Sequence, residues 1–148
     1  MDNVILEKIY QDSDLIELKA TAEATYAIVN QTCFVSEDAL KAAREKILKY
    51  TDDPTQACYV EFGSKEGKSS PAFSLEILPS DKTERVKMEA DMEIADNDER
   101  LHRTKFYIGC ELEQLKKFGE SLLYLAMGPI GKRVYLAFPD ETLSDETE

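Results

Sequence analysis

Between residues 84 and 94 apolar and charged positions alternate without a break. Val86, Met88, Ala90, Met92 and Ile94 fall on one parity; Arg85, Lys87, Glu89, Asp91 and Glu93 fall on the other. Successive side chains of a strand point to opposite faces, so this stretch predicts a strand with one apolar and one wet face. Asp96-Asn97-Asp98 predicts a turn. The return strand sets His102, Thr104, Phe106, Ile108 and Cys110 against Arg103, Lys105 and Tyr107. Charge suggests the register: Glu93 opposite Arg103, Asp91 opposite Lys105, Glu89 opposite Tyr107, with Glu76 of the preceding strand near Lys87. Each opposite-charge pair across a ladder contributes roughly 0.2–1 kcal/mol.

The same period of two recurs elsewhere. Residues 4–10, 15–19 and 22–29 predict three strands, with a turn at Asp12-Ser13-Asp14; in the third, Ala22, Ala24, Tyr26 and Ile28 share a side. Residues 56–62 predict a short strand. Phe73, Leu75 and Ile77 alternate with Ser74 and Glu76 up to a turn at Pro79-Ser80-Asp81. Val134, Leu136 and Phe138 make a last strand.

Two stretches carry the helical period instead. Ser36 predicts an N-cap, Glu37 and Asp38 face the positive end of the helix dipole, and Leu40, Ala43, Ile47 and Leu48 form one stripe before Asp52-Asp53-Pro54 ends the helix. From about residue 111 to 127, Leu112, Leu115, Phe118, Leu122 and Leu125 make a second stripe that stops at Gly128-Pro129. Gly119 lies inside it at a cost of about 1 kcal/mol relative to Ala, which predicts a close approach of this helix to the sheet.

Strands, helix, antiparallel strands, helix, strand is the order of an α+β fold. The prediction is an antiparallel twisted sheet of about six to seven strands with two helices packed on it. Residues 1–138 form a single domain, and residues 139–148 form a disordered acidic tail.

Charge narrows the partners. Eighteen basic against 30 acidic residues leave a net charge of −12. Such a field repels phosphate backbones and anionic membranes, and no basic patch offsets it, so nucleic acid and membrane are excluded as expected partners. No apolar run approaches the ~18 residues that span a bilayer. The Met-Asp-Asn start lacks the pattern of a signal peptide, and the expected compartment is the cytoplasm.

Candidate chemistry thins out on inspection. Cys33, Cys58 and Cys110 are odd in number and widely spaced, with no Cys-x-x-Cys, which predicts reduced thiols and no zinc site. Gly67-Lys68-Ser69 imitates a phosphate loop, but Gly63 leaves only three intervening residues and a strand follows where a helix is needed. His102, the single histidine, stands eight residues from Cys110 on one strand, roughly 27 Å away at ~3.4 Å per residue, so no local dyad forms. Asp91, Glu93, Asp96 and Asp98 lack the oxygen pattern of a calcium loop and have Arg103 and Lys105 beside them. No catalytic residue, metal or cofactor is therefore expected.

What remains is a surface. Tyr59, Tyr107 and Tyr135 fall on the outward parity of their strands and would form an amphipathic patch if those strands are neighbours; tyrosine is favoured at interfaces. Together with Glu89, Asp91 and Glu93 they are the expected partner-binding residues.

The chain resembles small bacterial immunity proteins, the antidotes of polymorphic contact-dependent toxins. The resemblance rests on Ile16-Glu17-Leu18, on Phe106-Tyr107-Ile108 running into Glu111-Leu112, and on the Leu-rich helix ending at Gly128, and it covers about half the chain. It implies a non-enzymatic, acidic, cytoplasmic protein that neutralises a toxin by direct binding. The expected function is thus a non-catalytic module for a protein partner of basic character. The alternative is an enzyme or small-ligand protein with a pocket between sheet and helices. Self-association through a sheet face is a third reading, and the sequence leaves the oligomeric state open.

Overall fold

A computed structural model describes residues 2–13, 15–63, 73–80, 85–97 and 100–138, with backbone only at 94–97 and 100–102. Three antiparallel strands come first: β1 (Asn3–Gln11), β2 (Ile16–Ala24) and β3 (Ala27–Val35). At the turn predicted after β1 the Asp12 carboxylate accepts from the Leu15 N–H at 2.8 Å, while Asp14 lies outside the described residues.

The next turn departs from expectation. Residues 22–29 are not one strand but a hairpin that folds back at Thr25-Tyr26, pairing Ala24 with Ala27 and Ala22 with Val29. Tyr26 stands at the tip, 99% exposed. Neither Thr nor Tyr is a turn-forming residue, so the local sequence conceals the reversal. Burial drives it: Ala20 and Ala22 on β2 and Cys33 and Val35 on β3 all enter the core only when the chain doubles back here.

Helix α1 (Glu37–Asp52) begins as predicted, with Ser36 Oγ accepting from the Ala39 N–H at 3.0 Å. Leu40, Ala43 and Ile47 are buried. At the end of the stripe Tyr50, not Leu48, takes the buried position, and its hydroxyl donates to the Leu78 carbonyl at 2.7 Å. The longer side chain reaches an acceptor that a leucine cannot use.

Four strands follow: β4 (Cys58–Phe62), β5 (Phe73–Ile77), β6 (Arg85–Asn97) and β7 (Arg100–Glu111). Val86, Met88, Ala90 and Met92 are buried. Glu93 lies opposite Arg103, Asp91 opposite Lys105 and Glu89 opposite Tyr107, the register that the charges suggest. Strand continues through Asn97, which pairs with Arg100, so Asp96 and Asn97 lie in the strand and not in the predicted turn, and Asp98 lies outside the described residues. Glu76, however, faces Glu89 and not Lys87. A slip of two residues would keep every apolar side chain on its own face, so alternation does not fix this register. The packing of Phe73 opposite Met92 and Leu75 opposite Ala90 does, and one surface ion pair is too weak to outweigh it.

Helix α2 (Leu112–Met127) leads to β8 (Arg133–Tyr135), which pairs with β1. Among the described residues eight strands form two four-stranded sheets, β3-β2-β1-β8 and β4-β5-β6-β7, where the sequence suggests one sheet of six or seven. The reason is α1. It carries the chain off the edge of the first sheet at β3 and onto the edge of the second at β4, and β8 returns to the first sheet. The inner faces of both sheets and both helices share one core cluster.

Gly119 is buried at a helix crossing. A Cβ there would lie 2.7 Å from Ile47 Cγ2 on α1. The close approach predicted for this glycine exists, but to the other helix and not to the sheet. The acidic segment 139–148 and the Gly67-Lys68-Ser69 motif lie outside the described residues.

Candidate protein-binding face

The β4–β7 sheet turns its polar parity away from the core. Its register places Tyr59, Glu76, Glu89 and Tyr107 in one row across all four strands. Directly opposed side chains in such a row have Cβ atoms about 4.5–5.5 Å apart. Two carboxylates therefore sit side by side, flanked by a tyrosine on each edge strand. Neither Glu76 nor Glu89 has an ion-pair partner among the described residues.

The neighbouring rows are neutralised. Arg103 donates through Nη1 to Asp91 at 2.8 Å and through Nη2 to Glu93 at 3.0 Å. The hydrogen bond to Asp91 is the leading cause that holds the guanidinium above its usual range, with the charges of Asp91 and Glu93 adding to it. Asp91 is only 6% exposed. Although Lys105 stands directly across from Asp91, the ion pair forms on the diagonal to Arg103. Guanidinium geometry suits the pairing: one rigid planar fork presents Nη1 to Asp91 and Nη2 to Glu93. Lys87 lies over the Tyr107 ring, with Nζ 4.4 Å from its centroid, and the Tyr59 hydroxyl donates to Glu61 Oε1 at 3.4 Å.

Five of the six expected partner residues thus share one face: Tyr59, Glu89, Asp91, Glu93 and Tyr107. Tyr135 does not join them. It lies on β8 in the other sheet, opposite Ile5 and against Phe138, ring centroids 6.2 Å apart. The sequence shows outward parity but not sheet membership. It also hides Glu76, because charge matching assigns that residue to Lys87 and removes it from view.

Nucleophilic chemistry finds no support in the thiols. Burial pushes Cys33 and Cys110 up to about 12 and also raises Cys58. A thiol held protonated is a poor nucleophile. Among the described residues no cluster of three or more His, Cys, Asp or Glu side chains is placed to hold a metal ion. The His102 side chain lies outside the described set. No described helix is long and apolar enough to cross a membrane.

A groove of about 540 Å³ opens between the C-terminal half of α1 and the start of β4, lined by Lys46, Lys49, Tyr50, Gln56, Cys58 and Tyr59 among others. Lys46 Nζ donates across it to the Tyr59 carbonyl at 3.4 Å. Tyr59 therefore belongs both to this groove and to the acidic row.

Comparison with protein-family models, with curated proteins and with solved structures finds no significant match.

Proposed function

We propose that this chain is a non-catalytic protein-binding module of the immunity-protein type, which covers a basic partner with the outer face of the β4–β7 sheet. The observation that carries the reading is the row Tyr59–Glu76–Glu89–Tyr107. Like charges directly opposite one another destabilise a sheet. Here a lysine or arginine of a partner relieves the repulsion, and the flanking tyrosines supply contact area at little entropy cost. The net charge of −12 speeds encounter with a basic surface.

The test is capture of the partner from the native organism by the wild-type chain and by Glu76→Gln/Glu89→Gln, at low and high salt. The reading expects the variant to lose at least about ten-fold in affinity, roughly 1.4 kcal/mol, and the wild type to associate more slowly in salt. A partner held equally by both proteins, at a rate indifferent to salt, would remove it.

A second reading is favoured by the groove beside α1: a small-ligand protein whose anionic ligand pairs with Lys46 and Lys49. Its volume falls in the usual range of small-molecule sites, about 300–1,000 Å³. Lys46→Ala/Lys49→Ala discriminates, since it abolishes this binding and spares capture through the acidic row.

A further inference from the structure

Four strands end the two sheets, and three of those edges are short or occupied. β8 is three residues long. At β4 the Tyr59 carbonyl accepts from Lys46. At β7 the Gly109 N–H donates to the Asp2 carboxylate at 2.8 Å, and Arg103 and Lys105 are exposed along the strand. Natural sheets protect their edges by such means: shortness, charge, bulges or a covering group.

β3 has none of them. It runs nine residues, Ala-Ile-Val-Asn-Gln-Thr-Cys-Phe-Val, without a charge or a proline. Its pairing with β2 is continuous and free of bulges. Ala24 and Ala27 flank a two-residue turn, and the pair that closes such a turn is hydrogen-bonded, so alternation directs the backbone N–H and C=O of Ile28, Asn30, Thr32 and Phe34 away from β2. Among the described residues no hydrogen bond reaches those outward groups.

Gln31 adds an independent sign. It is 9% exposed, and among the described residues neither its amide nitrogen nor its amide oxygen has a hydrogen-bond partner. An unsatisfied buried polar group costs about 1–3 kcal/mol, so a lone buried amide on an open edge points to a missing partner.

We infer that β3 pairs antiparallel with β3 of a second copy of this chain, about a two-fold axis at Gln31, joining two four-stranded sheets into one continuous sheet. Centred there, Ile28 lies opposite the partner's Phe34 and Asn30 opposite the partner's Thr32. Every outward N–H and C=O of the four residues on both strands then finds a mate, which no other centre achieves. Across the axis an apolar pair meets an apolar pair, a polar pair meets a polar pair, and no like charges are opposed. The two Gln31 side chains meet in a non-hydrogen-bonded pair, where Cα atoms are about 4.5 Å apart. Both amide atoms are closed to solvent within the protomer, so each Gln31 side chain turns outward on association and pairs its donor and acceptor with those of the other. A two-fold contact must be self-complementary in this way.

Sedimentation velocity of the full chain from micromolar to millimolar concentration reads the outcome. The expected result is a monomer–dimer equilibrium. Asn30→Glu/Thr32→Glu places carboxylates opposite one another across the axis while setting residue 32 against Lys19 within the protomer, so it weakens the dimer at least about ten-fold and leaves the monomer folded by circular dichroism. Gln31→Cys in a Cys58→Ala background gives a disulfide-linked dimer under oxidation. A strict monomer over the whole range, or a dimer indifferent to the Glu variants and uncrosslinked by Gln31→Cys, would overturn the inference. Neither outcome bears on the acidic row of the other sheet.

Discussion

The ammonium of Lys8 sits on the C-terminal end of α2, 2.7 Å from the Gly128 carbonyl oxygen. It also donates to the Ala126 carbonyl at 2.9 Å and to Gln11 Oε1 at 2.6 Å. Lys8 is fully buried. The last turn of α2 contains no basic residue of its own, so β1 supplies the cation that the negative end of the helix dipole favours. The backbone joins in: Lys8 N–H donates to the Lys132 carbonyl, and the Gly131 N–H donates to the Lys8 carbonyl. One strand residue therefore ties the first sheet to the helix and to the turn that starts β8.

Lys8→Met should destabilise the protein by about 2–4 kcal/mol, because the helix carbonyls lose a buried charged donor. Urea unfolding at neutral pH measures this. A loss under about 0.5 kcal/mol would mean that relief of burying the charge offsets the lost bonds.

Alkaline pH should reveal two opposed slopes. Burial lowers the Lys8 ammonium from 10.5, with the charge of Glu37 opposing. The unfolded chain then binds more protons below that value, and this group alone makes stability rise as pH climbs toward 10.5. Cys33 and Cys110 are raised from 9.0 to about 12, so their contribution is complete below 9 and is lost between 9 and 12. Melting temperature against pH should fall steeply above 10.5. Cys33→Ala/Cys110→Ala should flatten that fall, and Lys8→Met should bring its onset to lower pH.

Gly119→Ala should cost about 1–3 kcal/mol by overpacking against Ile47, despite the gain of about 1 kcal/mol in helix propensity. In an Ile47→Ala background the clashing Cγ2 is gone, and the same change should become neutral or stabilising. Thermal unfolding of the four proteins of this cycle reads the coupling.

Arg103 and Lys105 should separate cleanly. Arg103→Met removes two charge-assisted bonds, one to a buried carboxylate, and should cost about 2 kcal/mol. Lys105→Met should stay within about 0.5 kcal/mol, as an exposed lysine without an ion pair among the described residues. Equal losses in chemical denaturation would show that the direct pair, not the diagonal one, carries the ladder.

Glu76→Gln/Glu89→Gln should raise the stability of the free protein by about 0.2–1 kcal/mol, by removing like charges across a ladder, while it weakens capture of a basic partner. Stability and binding moving in opposite directions distinguish a binding row from a structural one. A destabilised variant would show instead that the two carboxylates support the fold.

How much of this was legible depended on the range of the interaction. Residues 85–111 declared their pairing because apolar alternation and charge complementarity coincide there, and both are local. Ser36 announced its helix for the same reason. The Thr25-Tyr26 reversal was hidden, since no turn residue marks it and only burial further along the chain requires it. Lys8 looked like any strand lysine, because the helix end it serves lies more than a hundred residues away. Charge matching misplaces Glu76, which faces Glu89, because a two-residue slip preserves every face.

The sequence by itself determined which segments extend, which coil and which parity of each strand is apolar, because those follow from periods of two and 3.6 along the backbone. Only the tertiary structure decided that the strands divide into two sheets. It also set Tyr135 apart from Tyr59 and Tyr107, put Gly119 against Ile47, and left Glu76 facing Glu89. Each of these is settled by packing between segments far apart in sequence, where side-chain volume outweighs any single charge.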